Sequence, residues 1–118
     1  MRSGLRKRAE FQRVYNGGVK CSGEYVVVFA LARDGEGCRL GITATRKVGC
    51  AVVRNRARRR VRELFHRHPE LLKGLAVDLV VNLRRSAAES EWCELERDYL
   101  RCMNLARRRL VQTAAQAS

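Results

Sequence analysis

Six arginines fall within the nine residues "RNRARRRVR" at positions 54–62, with an asparagine at 55 and no acidic side chain among them. A guanidinium stays charged at any physiological pH and presents a planar fork of N–H donors that matches phosphate oxygens. The arginine-rich stretch as a whole is therefore suited to contact a phosphate backbone. Its spacing predicts a helix. At about 100° per residue, Val53, Ala57, Val61 and Leu64 share one narrow sector, with Phe65 at its edge. Arg54, Arg58 and Arg62 follow one another on one flank of that stripe, and Arg56, Arg59 and Arg60 take the other. Like charges at i, i+4 oppose a helix by about 0.2–0.5 kcal/mol per pair, and only Glu63 offsets them locally. A face serving solubility alone would mix in glutamate; this one is suited to meet a polyanion.

A second set of residues suits a different form of the same partner. Phe11 and Tyr15 stand four apart on a short helix predicted over 6–16, which Gly17-Gly18 ends. In the strand predicted over 38–47, alternation puts Leu40, Ile42 and Ala44 on one face. Arg39, Gly41, Thr43, Thr45 and Lys47 share the other. Two rings beside a polar, basic strand face make a stacking platform for single-stranded nucleic acid. The same rings would equally serve core packing of the first helix.

The side chains needed for independent catalysis are missing. A metal-dependent nuclease needs clustered carboxylates, and the three aspartates, Asp34, Asp78 and Asp98, are scattered through turn, strand and helix. His66 and His68 stand at a helix end, where histidine commonly caps. No glycine-rich phosphate loop with its Lys-Ser/Thr is present. We therefore expect no catalytic residue and no metal ligand.

The elements that must position these groups can be read from the rest of the chain. Its 118 residues suit one domain, expected to be ordered over about 5–111 with a frayed tail at 112–118. A net charge of +13, carried by 21 arginines and four lysines, implies a nucleic acid or an anionic membrane as partner. No apolar run is long enough to span a bilayer. The opening "MRSGLRKRAEF" lacks the apolar core of a signal peptide. Five cysteines without paired spacing read as reduced thiols in a cytoplasmic protein. Residues 24–33 and 76–83 predict buried strands, "DGEG" at 34–37 a hairpin turn, and a further short strand could lie within 20–33. Ser86 or Ser90 would cap a last helix whose apolar stripe runs from Trp92 through Leu95, Tyr99, Cys102 or Met103, and Ala106 to Leu110. The order α-β-β-(β)-α-β-α predicts a single-domain α+β sandwich with its helices largely on one side of the sheet.

The stretch "RKVGCAVVRNRARRRVRELF" resembles the signature of the bacterial ribonuclease P protein subunit: a basic pair and glycine, then Ala-Val, Arg-Asn-Arg and spaced arginines closing on phenylalanine. "LRKRAEFQRVYNGG", "RLGITATRKVG" and "VDLVVNLR" are similar to other segments of that family, in order, so that the resemblance covers residues 5 to about 110. It implies an α-β sandwich shared with a ribosomal-protein domain, with a left-handed βαβ crossover through the arginine helix. It also implies a cofactor role in an enzyme whose large RNA, using bound magnesium, removes the 5′ leader from precursor tRNA. Carried over by position, Arg54, Asn55, Arg56, Arg58, Arg59 and Arg62 would dock on the catalytic RNA. Phe11, Tyr15, Thr43, Thr45 and Lys47 would line a cleft for the single-stranded leader. No protein partner and no membrane are implied.

Three other readings compete. A structural RNA-binder of the ribosomal-protein kind has the same charge and size. A protein nuclease acting alone would need the missing carboxylate cluster. A membrane-surface helix would need bulky Leu and Trp where this one offers mainly Val and Ala.

Overall fold

The computed structural model describes residues 4–117. Helix α1 (Arg8–Gly17) precedes strands β1 (Val19–Ser22), β2 (Val26–Ala32) and β3 (Arg39–Thr43). Helix α2 (Ala51–Arg67), strand β4 (Val77–Leu83) and helix α3 (Trp92–Ala117) follow, with single 3-10 turns at Pro69–Leu72 and Arg85–Ala88. The architecture is the expected α+β sandwich, and β1 is the additional short strand, beginning one residue before the expected window.

The strands lie in the order β1-β2-β4-β3. The predicted hairpin at 34–37 is not one. Strand β4 inserts between β2 and β3, antiparallel to β2 and parallel to β3. Residues 33–38 instead bridge over the start of β4, where the Arg33 N–H donates to the Ala76 carbonyl at 2.9 Å. The reason lies in composition. "VDLVVNL" is apolar on nearly every residue, as a central strand covered on both faces must be, and all of it except Asn82 is buried. Strand β3 is also shorter than expected. It stops at Thr43, and Thr45 begins a turn closed by the Val48 N–H on the Thr45 carbonyl at 3.0 Å.

Alternation along the strands divides the core. Val77, Leu79, Val81 and Leu83 of β4 join Val26, Val28 and Ala30 of β2 on one face, covered by Ala57, Val61 and Leu64 of α2 and by Leu95, Tyr99, Cys102, Met103 and Ala106 of α3. Phe65 packs at the edge of the α2 stripe as expected, and Val53, expected within the stripe, is only partly buried against the core. The other face carries Val80, Phe29 and Leu31, and α1 alone packs on it through Phe11, Val14 and Tyr15. The sheet is thus covered by two helices on one side and one on the other. Each fully buried Leu, Val or Met contributes about 1.5–3 kcal/mol, so the α2 stripe alone anchors the arginine helix firmly. Helix α3 extends through Ala117.

Polar pins lock the helices to the sheet. The buried Asp98 carboxylate accepts the N–H groups of Glu24 (3.0 Å), Tyr25 (2.8 Å) and Val26 (3.3 Å), and Arg101 Nη2 at 3.0 Å. Burial pushes this carboxyl up, but the N–H donors and Arg101 outweigh it and hold the pKa below the usual range. Gly23 is required beside it, because a Cβ there would lie 2.4 Å from Asp98 Oδ2. Neither Ser86 nor Ser90 caps α3. Ser86 sits in the 3-10 turn, and the buried Ser90 Oγ has no hydrogen-bond partner among the described residues. His68, at the end of α2, instead ties that end to its neighbours: Nε2 meets Glu96 at 2.9 Å and Nδ1 meets Glu70 at 3.1 Å.

The Glu96 and Glu70 carboxylates raise the His68 pKa above the ordinary imidazole value of about 6.5. A raised folded-state pKa adds stability in full below the unfolded value, and that increment disappears as pH rises through the folded value. The melting temperature should therefore fall as pH climbs above the unfolded imidazole value of about 6.5. His68→Gln should flatten that limb, which scanning calorimetry across the pH series will measure.

Candidate nucleic-acid interface

The structure sorts the arginines of α2 by what they touch. Arg56, Arg59 and Arg62 are exposed and make no ion pair among the described residues. Arg58 is half-buried and donates to Asn55 Oδ1 at 3.1 Å. Arg54 is also half-buried, and its Nε is sealed from solvent without a partner. Arg60, on the far flank, is structural: its guanidinium caps the Ala87 carbonyl at 2.7 Å and the Ser90 carbonyl at 2.6 Å. It also lies over the Trp92 ring, as does Arg67. A recess lined by Val52, Asn55, Arg58, Arg59 and Arg62 runs along the outward ridge. Val52 there is 74% exposed, an apolar contact in the middle of a cationic surface. At the head of the helix the backbone N–H groups of Val53 and Val52 pull the exposed Cys50 thiol below its ordinary pKa. The same N–H groups favour an anionic ligand there.

The second surface lies on the sheet face that carries α1, and it is richer than the sequence indicated. Tyr15 Oη donates to Asn82 Oδ1 at 2.9 Å, and Thr43 Oγ1 donates to the same oxygen. The Tyr15 ring meets Phe29 edge-on at 4.8 Å, and Lys20 Nζ lies 5.7 Å from the Phe29 ring centre. Sequence alone does not single out Phe29, Lys20 or Asn82. Their positions in alternating strands place them on this face only once the pairing of β2 with β4 is known. Thr45 and Lys47 do not extend this face as strand residues. They are exposed in the turn after β3, where with Arg46, Arg84 and Arg85 they line a neighbouring recess. Phe11 is separated from Tyr15: it seats on Gly41, where an added Cβ would lie 2.6 Å from the ring, and it faces the outer edge of β3.

Several basic residues are consumed internally. Asp78 is fully buried on this face, and Arg39 binds it with both Nε (2.7 Å) and Nη2 (2.8 Å). Arg13 reaches it at 2.9 Å and Arg33 at 3.5 Å, while Arg39 Nη1 also meets Glu10 at 2.8 Å. The Arg39 fork holds the Asp78 carboxyl below the usual carboxylate range against the opposing effect of burial. The expected basic strand face is therefore neutralised at Arg39 and remains open toward Thr43. Among the described residues no group of three or more His, Cys, Asp or Glu side chains is placed to hold a metal ion.

A four-stranded mixed sheet with a cationic helix on one side and an aromatic, polar surface on the other defines the class: an α+β sandwich with a strongly basic helix. Similarity to known proteins specifies which. The pattern of the family Ribonuclease P matches residues 2–107. The ribonuclease P protein component of Streptococcus gordonii is 30% identical over 103 residues, covering 87% of this chain and 85% of that one. That of Gluconacetobacter diazotrophicus is 49% identical over 80 residues, covering 65% and 67%. The solved RNase P protein of Staphylococcus aureus superposes with a TM-score of 0.80 at 29% identity, covering 90% of this chain and 96% of that one. The Thermotoga maritima protein gives 0.77 at 29%, covering 87% and 96%. The chain belongs to the ribonuclease P protein family, whose members are protein components of a tRNA-processing ribonucleoprotein.

Stability measurements will separate clamp from surface. Asp78→Asn leaves three guanidinium groups around a neutral amide and should cost about 3–5 kcal/mol, the penalty for breaking a buried ion pair. Tyr15→Phe removes one hydrogen bond and should cost about 0.5–1.5 kcal/mol. Urea titration of both variants checks the ranking.

Proposed function

We propose that this chain is the noncatalytic protein subunit of ribonuclease P, binding the catalytic RNA through α2 and the 5′ leader of precursor tRNA across the Tyr15–Phe29 surface. The observation that supports it most is the sorting of charge. Arg13, Arg33, Arg39 and Arg60 are engaged by protein groups, while Arg56, Arg59 and Arg62 stand exposed on one helix face without acid partners among the described residues. Such a row follows phosphates and carries no chemistry of its own. The scission would belong to the RNA and its magnesium ions, with the protein lowering the electrostatic cost of bringing two polyanions together.

The leader surface calls for a different mode of binding. Tyr15 and Phe29 offer ring faces and edges to unstacked bases, Lys20 offers a cation to phosphates beside them, and Lys47 offers another from the neighbouring recess. Stacking contributes about 1–3 kcal/mol per base whichever base it is, which suits an enzyme acting on many leaders. A cytoplasmic setting accords with five cysteines that are all unbridged. A structural RNA-binder of the ribosomal kind shares the cationic helix but has no need of a surface for a flexible strand.

Two sets of measurements test this. Rigorously RNA-free protein should not cleave precursor tRNA, and with a bacterial ribonuclease P RNA it should restore cleavage at low magnesium. Arg56→Ala with Arg59→Ala should weaken binding to that RNA and flatten the slope of log affinity against log salt by about 0.7–0.9 for each phosphate no longer neutralised; an unchanged slope would make α2 a merely solvated face. Tyr15→Ala should reduce holoenzyme affinity for precursor tRNA while leaving mature tRNA unaffected. Equal losses for the two would assign Tyr15 to packing alone.

A further inference from the structure

Arg60 belongs to the arginine run of α2, yet its guanidinium is turned inward. Nη1 donates to the Ala87 carbonyl at 2.7 Å and Nη2 to the Ser90 carbonyl at 2.6 Å, while the group lies 5.7 Å from the Trp92 ring centre. Both carbonyls belong to the segment that joins β4 to α3. That segment opens with the 3-10 turn Arg85–Ala88, in which the Ala87 N–H donates to the Arg84 carbonyl at 3.1 Å and the Ser90 N–H to the Ser86 carbonyl at 3.0 Å. The last carbonyls of a helical turn have no partner within it. Arg60 supplies one for Ala87 and for Ser90. A planar fork on two carbonyls fixes orientation as well as distance, which a single ammonium donor does not.

The position of the pinned segment gives this clamp a consequence. Strands β3 and β4 are parallel neighbours, with Thr43 beside Asn82, so the residues that follow them leave the sheet at the same end. Arg46 and Lys47 come after β3, and Arg84 and Arg85 after β4. All four are exposed and line one recess, and none makes an ion pair among the described residues. Four like charges in one recess repel one another, so something must hold each in place. The turn after β3 is closed by its own backbone, with the Val48 N–H on the Thr45 carbonyl at 3.0 Å and the Gly49 N–H on the Arg46 carbonyl at 3.2 Å. Arg84 is tied to the sheet by its N–H on the Tyr25 carbonyl at 2.9 Å. Arg85 begins the 3-10 turn, which is held to α2 by the buried Ala87 and Ala88 and by the Arg60 fork.

We propose that Arg60 is a positioning residue for precursor tRNA: by holding the Arg85–Ala88 turn against α2, it keeps Arg85 in register with Lys47 for phosphates of the 5′ leader. Arg60 itself touches neither RNA. The helix that meets the catalytic RNA thus also sets the cation array that meets the substrate. The inference rests on the proposed binding of the leader by this chain.

The test is a double-mutant cycle on the full chain assembled with a bacterial ribonuclease P RNA. Arg60→Met keeps an unbranched stem beside Trp92 and removes both carbonyl bonds. Arg85→Ala removes the cation that Arg60 places. Affinities are read for precursor tRNA, for mature tRNA and for the RNA subunit. Arg60→Met should weaken precursor binding about 2- to 30-fold, the range for residues that act through a neighbour. Mature tRNA and the RNA subunit should bind as before, and the loss should vanish when Arg85 is already alanine. Arg60→Lys, which keeps the charge and one donor, should lose less, and it carries the same comparison through Arg85→Ala if the methionine variant unfolds. Independent losses from Arg60→Met and Arg85→Ala overturn the proposal. A fall in RNA-subunit affinity also overturns it, because Arg60 would then be a direct contact of α2. Equal losses for precursor and mature tRNA, with a lowered melting temperature, reduce Arg60 to a fold contact and overturn it as well. Wild-type precursor affinity in Arg85→Ala alone sinks the positioning role, whereas wild-type affinity in both Arg85→Ala and Tyr15→Ala removes the leader reading itself.

Discussion

Asp78 carries a carboxylate into the interior, and the arrangement of the α1 face depends on how that charge is balanced. Arg39 from β3, Arg13 from α1 and Arg33 from the end of β2 converge on it, and Glu10 of α1 ties back to Arg39. Four segments distant in sequence are thereby held at one point on the central strand. Removing one member of such a group leaves buried charge uncompensated, which is why buried ion clusters specify an arrangement even when they add little net stability. Here the arrangement specified is the position of α1 across the sheet. That position separates Tyr15, over Phe29 and Asn82, from Phe11, over Gly41.

The clamp also explains how so basic a chain folds. The buried acids neutralise arginines where elements meet: Asp78 under α1, and Asp98 where α3 meets the β1–β2 turn. Arg60 and Arg107 are satisfied differently, by carbonyl groups at the ends of short helical turns. Packing energy from the Ala57–Val61–Leu64 stripe then carries the remaining repulsion along α2. Cationic side chains that no internal group satisfies gather on surfaces that a polyanion can reach. Partner RNA would relieve their mutual repulsion, linking binding to stability.

In the proposed function the two sides of the sheet supply two chemistries of recognition. The guanidinium ridge of α2 would address the regular backbone of folded RNA, where phosphates are spaced and fixed. The rings beside hydroxyl and amide groups on the α1 side would address strands whose bases are free.

Much of this was legible in the chain. The 3.6-residue recurrence of Val53, Ala57, Val61 and Leu64 determined both that α2 is a helix and which of its sides faces the core, because periodicity is local physics. The family motifs settled identity for the same reason: they are contiguous. What sequence could not decide was strand order. "DGEG" between two apolar runs has the local chemistry of a hairpin, yet the doubly buried β4 is more stable between β2 and β3 than at an edge, and that preference depends on segments far apart in the chain. With the order hidden, Asn82 could not be paired with Tyr15 and Thr43, nor Phe29 with Lys20. The fate of each charge was equally hidden. Arg39 and Arg59 are the same residue type in exposed-looking patterns, but only the tertiary structure brings Asp78 within 2.7 Å of the first and leaves the second open to solvent.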